Sequence, residues 1–180
     1  EVTLAATRAA DTRRLRLENA RLRTEASLGR PIVAESPVTR RVLELVARVA
    51  PKDVTVLLTG ESGVGKDVLA ATLHTHSKRA DRPLVRFNAA AIPGELAEAE
   101  LFGHAKGAFT GATQARTGYF QQADKGTLFI DEVGELALPI QAKVLRALQS
   151  GDVQPVGGRA EHVDVRLVAA TNRDLSAEVK

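Results

Sequence analysis

The sequence predicts an α/β protein, a three-layer α/β/α fold around a mostly parallel sheet. Short apolar runs rich in Val, Leu and Ile recur along the chain, and longer segments free of Gly and Pro separate them. A glycine-rich segment at residues 60–65 joins one apolar run directly to one of the longer segments. Strands that are buried on both faces and separated by helices are typical of a parallel sheet.

The elements can be placed in order from residue 39. The predicted helices are at residues 39–49, 67–77 and 140–150. The predicted strands are at residues 54–58, 84–88, 127–130 and 165–170. Because the strands alternate with helical segments, the strand after the second helix should return through a right-handed crossover.

A separate helix is predicted at the start of the chain, where residues 4–28 contain neither Gly nor Pro. Leu15 and Leu22 are seven residues apart, and Asn19 fits an a position between them, which gives a short coiled-coil register. A coiled coil and a plain surface helix both remain open. We therefore divide the chain into a linker helix at residues 1–28 and an α/β unit at residues 29–180.

Composition and charge exclude several classes. The chain has no Cys, so it has no disulfide or thiolate metal site. No apolar run approaches the roughly 20 residues of a membrane span, and the first residues do not read as a signal peptide. The formal charge of +3 lies in residues 1–30, where the pattern favours a solvated helix over nucleic-acid binding. These features predict a cytoplasmic protein.

The glycine-rich segment has the pattern G-x-x-x-x-G-K between a strand and a helix, which is the context of a phosphate-binding P-loop. Its glycines let backbone N–H groups surround phosphate oxygens, and the helix N-terminus adds a positive dipole. The lysine supplies a mobile charge for the β- and γ-phosphates of ATP. An acid follows it, where Ser or Thr usually binds Mg²⁺. The segment comprises Gly60, Glu61, Ser62, Gly63, Val64, Gly65, Lys66 and Asp67.

Polar residues follow two other predicted strands. Asp131 and Glu132 end the run at residues 127–130, where Asp131 can hold Mg²⁺ and Glu132 can orient or deprotonate a water. Asp67 is a second candidate ligand for the metal. Thr171 and Asn172 end the last strand and are candidates for sensing the γ-phosphate. Ligands bind beyond the carboxyl ends of parallel strands, so these residues should converge with the P-loop.

The glycine-rich segment at residues 100–112 predicts a loop that meets a partner, because it carries Phe102 and Phe109 among three glycines. An ordinary loop anchored by its phenylalanines is the alternative. The candidate partner-binding residues are Gly107, Ala108, Phe109, Thr110, Gly111 and Ala112.

These pieces, in this order, resemble the AAA+ domain of bacterial enhancer-binding proteins, the activators of sigma-54 RNA polymerase. Residues 60–67 are similar to that family's Walker A motif, which has an acid where other P-loops have Ser or Thr. Residues 107–112 read GAFTGA, the family's signature loop. Residues 126–132 and 165–173 resemble its Walker B and sensor I segments. The resemblance covers about residues 29–180.

The resemblance implies further roles. Asn88 is similar to the switch residue that holds the Walker B glutamate inactive until the γ-phosphate is sensed. Residues 141–149 and 156–158 match the stretch after Walker B. The GAFTGA loop would contact the sigma factor, with Phe109 and Thr110 at its tip, and so remodel the closed promoter complex.

The partners implied are sigma-54 RNA polymerase and further copies of the chain, as an inactive dimer or an active hexameric or heptameric ring. DNA would be bound only through a domain absent from this chain, and residues 1–28 resemble the linker after a regulatory domain, as in two-component systems. The family's arginine fingers, fifth strand, lid and helix-turn-helix would follow residue 180. We therefore expect ATP binding with poor turnover.

The sequence leaves two alternatives to an ATPase that activates sigma-54 RNA polymerase. One alternative is a nucleotide-dependent binding module without productive turnover, and another is a generic AAA+ remodeller such as a helicase loader or unfoldase. The intact GAFTGA segment at residues 107–112 argues against the generic remodeller.

Overall fold

The computed structural model describes residues 36–174 of the 180-residue chain. The predicted helix at residues 4–28 and the division at residue 28 lie outside this range. None of the helices in the described part has the length and hydropathy needed to cross a membrane.

The described residues form five α-helices and six strands. The helices are α1 (Pro37–Val49), α2 (Lys66–Thr75), α3 (Gly94–Phe102), α4 (Tyr119–Gln122) and α5 (Leu138–Ser150). The strands are β1 (Val56–Thr59), β2 (Leu84–Asn88), β3 (Thr127–Asp131), β4 (Asp152–Val153), β5 (Glu161–His162) and β6 (Arg166–Thr171). Short 3-10 turns follow β2 at Ala89–Ala91 and β3 at Val133–Glu135.

The main sheet has four strands in the order β1-β6-β3-β2, and all three pairings are parallel. The four predicted strands are therefore confirmed: β2 has the predicted ends, and the ends of the other three differ by at most two residues. The first strand begins at Val56 rather than residue 54, because Val56 is the first residue paired with β6. The last two strands extend to Asp131 and Thr171, so the sheet includes two predicted site residues.

Strand β3 shows why the sheet has a layer of helices on each face. Leu128 and Ile130 pack in one apolar cluster with residues of α3 and α5, whereas Phe129 packs in another with residues of α1 and α2. Successive side chains of a strand point to opposite faces, so a strand that is apolar throughout needs cover on both sides. The predicted three-layer α/β/α fold is confirmed.

Three elements were missed by the sequence prediction. Helices α3 and α4 and the β4–β5 hairpin lie in segments without a strong apolar repeat. Each hairpin strand has two residues, too few for an alternation to be visible. Helix α3 carries apolar residues of which Leu101 and Phe102 are buried, while Leu96 remains exposed.

Arg79 ties together the residues that precede three strands of the sheet. Its guanidinium donates to both carboxylate oxygens of Asp53, at 3.1 and 2.7 Å, and to Asp164 Oδ1 at 2.7 Å. It also donates to the carbonyl oxygens of Gly126 and Asp164. The hydrogen bonds from Arg79 lower the pKa of the Asp164 carboxyl. This clamp fixes the amino ends of β1, β3 and β6, at the edge opposite the predicted site.

His74 is buried on α2 beneath the same edge. Its Nδ1 lies 3.0 Å from Thr127 Oγ1 at the start of β3. Burial lowers the pKa of His74 from its ordinary 6.5, and the positive charges of Arg166 and Arg86 lower it further. A backbone hydrogen bond at Arg82 raises this pKa, but the net shift is downward. A buried imidazole that resists protonation makes stability depend on pH.

We expect the chain to lose stability as the pH falls below about 6.5. The unfolded chain then binds a proton at His74 that the folded chain does not, until the pH reaches the lowered folded-state pKa. The loss in the free energy of unfolding that His74 causes should approach about 1.4 kcal/mol per pH unit at most. Denaturant midpoints at pH 7.5 and 5.5 measure it, and His74→Gln should reduce the difference. An equal pH dependence in both proteins would contradict the assignment.

Candidate nucleotide site and adjoining loop

The P-loop lies between β1 and α2, as the sequence predicts. The Gly60 N–H donates to the Thr171 carbonyl oxygen at 3.3 Å, which ties the start of the loop to the end of β6. Gly65 has a φ of 92°, a left-handed conformation that favours glycine, and α2 begins at the next residue. The loop and the N-terminus of α2 therefore lie at the carboxyl edge of the sheet, where an anion is stabilised.

Lys66 is the most buried charged group of the site, with only 7% of its surface exposed. Its Nζ donates to the carbonyl oxygens of Gly60 at 2.9 Å and Glu61 at 3.1 Å. It also lies 3.6 Å from Glu132 Oε1. Three oxygen atoms of the protein thus surround the ammonium group, two from the P-loop and one from the acid after β3.

The two acids after the apolar run have different environments. Asp131 is the last residue of β3, and its Oδ1 accepts a hydrogen bond from the Glu132 N–H at 3.1 Å. Glu132 has φ 51° and ψ 51°, a left-handed conformation that costs a non-glycine residue about 1–3 kcal/mol. Its Oε2 accepts from the Asn172 N–H at 2.9 Å. The strained backbone and this bond point the carboxylate at Lys66.

The predicted sensing residues occupy the same edge. Thr171 is fully buried at the end of β6, and its Oγ1 accepts from the Arg173 N–H. Asn172 reaches Glu132 through its backbone. Asn88 ends β2 opposite Asp131, but its Oδ1 accepts from the Ala90 N–H and caps the 3-10 turn. A side-chain contact between Asn88 and Glu132, implied by the family resemblance, stays a prediction.

The acidic residues of this edge suit a magnesium ion. Asp131 lies at the end of β3, and Asp67 lies in the first turn of α2, next to the P-loop lysine in sequence. Among residues 36–174, no three His, Asp or Glu side chains come together as a self-sufficient metal site. Mg²⁺ commonly uses one or two carboxylates together with phosphate oxygens and water, so two hard oxygen donors fit it.

The GAFTGA loop extends from the end of α3 and is closed at its base by backbone hydrogen bonds. His104 and Arg116 exchange two of them, at 3.0 and 2.9 Å. The Ala105 N–H donates to the Val156 carbonyl oxygen at 2.9 Å, which adds a segment from the turn between β4 and β5. The base of the loop is therefore held from two sides.

The tip is closed on itself and exposed. The Gly107 N–H donates to the Ala112 carbonyl oxygen, and the Ala112 N–H donates to the Phe109 carbonyl oxygen. Ala112 is buried, whereas Thr110 and Gly111 are exposed and Phe109 is 40% exposed. This exposed tip fits the predicted loop, but the prediction was wrong for Phe102, which ends α3 and is buried in the core.

Gly157 is a residue of the site whose role the sequence analysis did not identify. A Cβ at this position would lie 3.0 Å from the Ala108 Cβ and 3.3 Å from its Cα. Gly157 also has a φ of 69°, which favours glycine. The turn between β4 and β5 therefore packs directly on the GAFTGA loop. The only sequence signal was the Gly157-Gly158 pair, which reads equally well as an ordinary turn.

Helix α3 connects the two parts of the site along the chain. It begins six residues after Asn88 and ends at the GAFTGA loop. An ion pair between Glu98 and Lys143 joins it to α5, and another joins Glu100 to Arg116 across the base of the loop. A displacement at the end of β2 thus has a short, continuous path to the loop.

The fold and the site define a P-loop NTPase: a parallel sheet with helices on both faces, a glycine-rich loop before a helix, and acids at the carboxyl ends of neighbouring strands. The chain belongs to the sigma-54 interaction domain family, whose model matches residues 32–180. This confirms the family resemblance and the expected fold.

Curated relatives are transcription regulators. The chain is 55% identical over 150 residues to the Nif-specific regulatory protein of Azotobacter vinelandii, covering 83% of this chain and 29% of that protein. It is 50% identical over 157 residues to the DNA-binding transcriptional regulator NtrC of Azospirillum brasilense, covering 87% and 33%. The chain thus spans about a third of the length of these relatives.

Solved structures agree in fold. NtrX from Brucella abortus in complex with ATP superposes with a TM-score of 0.75 at 33% identity, over 98% of this chain and 37% of that one. The P-loop NTPase domain of an Escherichia coli sigma-54 activator has a TM-score of 0.55 at 17% identity, covering 82% of this chain and 83% of that one. The second likeness shows the fold alone.

We expect Lys66→Ala to weaken ATP binding by about a hundredfold or more, because it removes the buried cation that would contact the phosphates. Isothermal titration calorimetry with ATP measures the change. Lys106→Ala is the matched control, since it removes an exposed lysine beside the GAFTGA loop. Equal affinities in wild type and Lys66→Ala would reject the phosphate-binding role.

Proposed function

We propose that this chain is the ATP-binding and hydrolysing AAA+ domain of a transcriptional activator that remodels closed promoter complexes of sigma-54 RNA polymerase. The observation that carries the proposal is that α3 joins the nucleotide site to the GAFTGA loop. This helix connects the end of β2, beside the Walker acids, to the loop. Family membership and the transcription regulators among the relatives support it. The ATP complex of NtrX supports nucleotide binding.

In this proposal the P-loop backbone and Lys66 bind the phosphates. Lys66 would exchange its carbonyl partners, Gly60 and Glu61, for phosphate oxygens. The same exchange releases the Glu132 carboxylate from its ion pair with Lys66. A released Glu132, still oriented by the Asn172 N–H, can position a water and accept its proton.

Asp131 and Asp67 would hold Mg²⁺, which neutralises negative charge on the β- and γ-phosphates when it is bound. Asp131 would also keep Glu132 in place, because its carboxylate already accepts the Glu132 N–H. Asn88 and Thr171 would report the phosphate state, since they end the strands on either side of β3. These roles extend the family resemblance to the particular contacts of this chain.

The phosphate state would reach the GAFTGA loop through α3. Asn88 caps the turn that precedes this helix, and Glu98 ties the helix to α5. A change at the end of β2 would therefore move α3 and the loop at its end. Phe109 and Thr110, at the exposed tip, would contact the sigma factor.

The proposed assembly is a ring of six or seven copies with each ATP at a subunit interface, and an inactive dimer as the alternative state. Promoter DNA would be bound by another part of a longer protein. The lengths of the relatives, about three times the matched region, support such further parts.

A nucleotide-dependent binding module without productive turnover is the second candidate for the chain by itself. Within residues 36–174, Lys66 is the cation that the ion pairs bring to Glu132. Phosphoryl transfer commonly needs a further cation, often an arginine supplied in trans, which is worth roughly 10³–10⁵ in rate. The residues that one subunit contributes to the site would then bind ATP, but they would hydrolyse it slowly.

We expect the isolated chain to bind ATP and to turn it over far below about 1 s⁻¹, the low end of typical enzymes. A steady-state phosphate-release assay measures the rate. The Glu132→Gln variant gives the background rate of phosphate release, since it lacks the proposed water-orienting carboxylate. Turnover of the dilute, monomeric chain at ordinary enzyme rates would contradict the need for a neighbouring subunit.

We expect Thr110→Ala to leave ATP affinity unchanged and to reduce sigma-54 binding by about tenfold or more, because Thr110 is at the exposed tip and away from the P-loop. Retention of purified sigma-54 on the immobilised chain with a non-hydrolysable ATP analogue measures binding. Thr113→Ala is the matched control, an exposed threonine just beyond the tip. Full retention by Thr110→Ala would remove the tip assignment.

A further inference from the structure

The five phenylalanines of the chain differ sharply in burial. Phe87, Phe102, Phe120 and Phe129 are buried in the two apolar clusters, whereas Phe109 is 40% exposed. The Phe109 ring lies beside the imidazole of His104, with ring centroids 5.0 Å apart and an angle of 58° between the planes. Aromatic rings at this distance and tilt attract one another.

The backbone of His104 is tied to two other segments at the base of the loop. The His104 backbone exchanges two hydrogen bonds with Arg116 and is also bridged to Val156. Phe109 lies on the exposed tip, where its carbonyl oxygen accepts a hydrogen bond from the Ala112 N–H. The neighbouring Ala108 is joined to Ala105 by a backbone hydrogen bond and contacts the turn at Gly157. The His104 ring is therefore a support at the base of the loop for the aromatic side chain at its tip.

The same ring carries an unsatisfied group. His104 Nδ1 is buried and has no hydrogen-bond partner. Such a group is costly, because burial removes its water without supplying a replacement. The ring therefore makes a favourable contact with Phe109, and its buried nitrogen makes no hydrogen bond that would hold the ring in place by other means.

We propose that His104 is a positioning residue that holds Phe109, and with it the tip of the GAFTGA loop, against the domain until the loop is needed. The holding contact is a property of the chain itself. Its consequence rests on the proposed function: sigma-54 would meet the tip fully only after Phe109 leaves the His104 ring.

Two variants of His104 separate this role from simple structural support. His104→Ala removes the ring, whereas His104→Phe keeps a ring and removes the unsatisfied nitrogen. Hydrogen exchange of the whole chain, read by mass spectrometry on a peptide spanning residues 105–113, measures opening of the tip. We expect exchange about three- to tenfold faster in His104→Ala, and equal to or slower than wild type in His104→Phe. Unchanged exchange in His104→Ala, or equal acceleration in both variants, would overturn the proposal.

A peptide covering β3, residues 127–131, shows whether a variant has lost its fold. If exchange in this peptide also rises in either His104 variant, Phe109→Ala tests the contact instead. Phe109 lies outside the two apolar clusters, so its removal should leave the core intact. Phe109→Ala should accelerate exchange at the tip as much as His104→Ala does, and the double variant should add little to either. Additive effects would show that the two rings act independently and would overturn the proposal.

Sigma-54 binding distinguishes this proposal from the proposed function. Without nucleotide, immobilised His104→Ala should retain several-fold more sigma-54 than wild type. If exchange changes as expected and no protein retains sigma-54 with any nucleotide, the holding contact stands and the sigma-54 function fails. If wild type binds sigma-54 in a nucleotide-dependent way and His104→Ala behaves like wild type in exchange and binding, the function stands and the holding contact fails.

Discussion

Parallel pairing with the carboxyl ends in register is the constraint on which the site depends. Thr59 is opposite Thr171, and Asn88 is opposite Asp131, so all four strands of the main sheet end at one edge. The P-loop leaves that edge from β1, and the acids leave it from β3. The clamp of Arg79 at the other edge fixes where β1, β3 and β6 begin. Groups distant in sequence are thereby brought within a few ångströms.

The charged groups at this edge share one ammonium group, that of Lys66. Lys66 is buried and bonded to its own loop, and it also pairs with Glu132. The strained backbone of Glu132 is maintained by the bond to the Asn172 N–H. In the proposed function, phosphate binding by Lys66 and release of the Glu132 carboxylate would be coupled, because both depend on the same ammonium group.

Much of this could be predicted from the sequence, for physical reasons that apply locally. An apolar run that needs cover on both faces predicts a buried strand, and G-x-x-x-x-G-K between strand and helix has few other uses. Helix α3 and the β4–β5 hairpin were missed, because neither has a strong periodic signal. The packing of Gly157 on Ala108 could not be predicted, since it depends on two loops about fifty residues apart.

The sequence by itself determined the chemistry available: a P-loop lysine, two acids after a buried strand, and a GAFTGA segment. These features depend on residue type and short-range order, which the linear pattern contains. Only the tertiary structure decided which groups touch. It pairs Lys66 with Glu132, engages Asn88 with Ala90, and places His104 under Phe109. Such contacts are selected by packing and strand register between distant segments, and no local pattern encodes them.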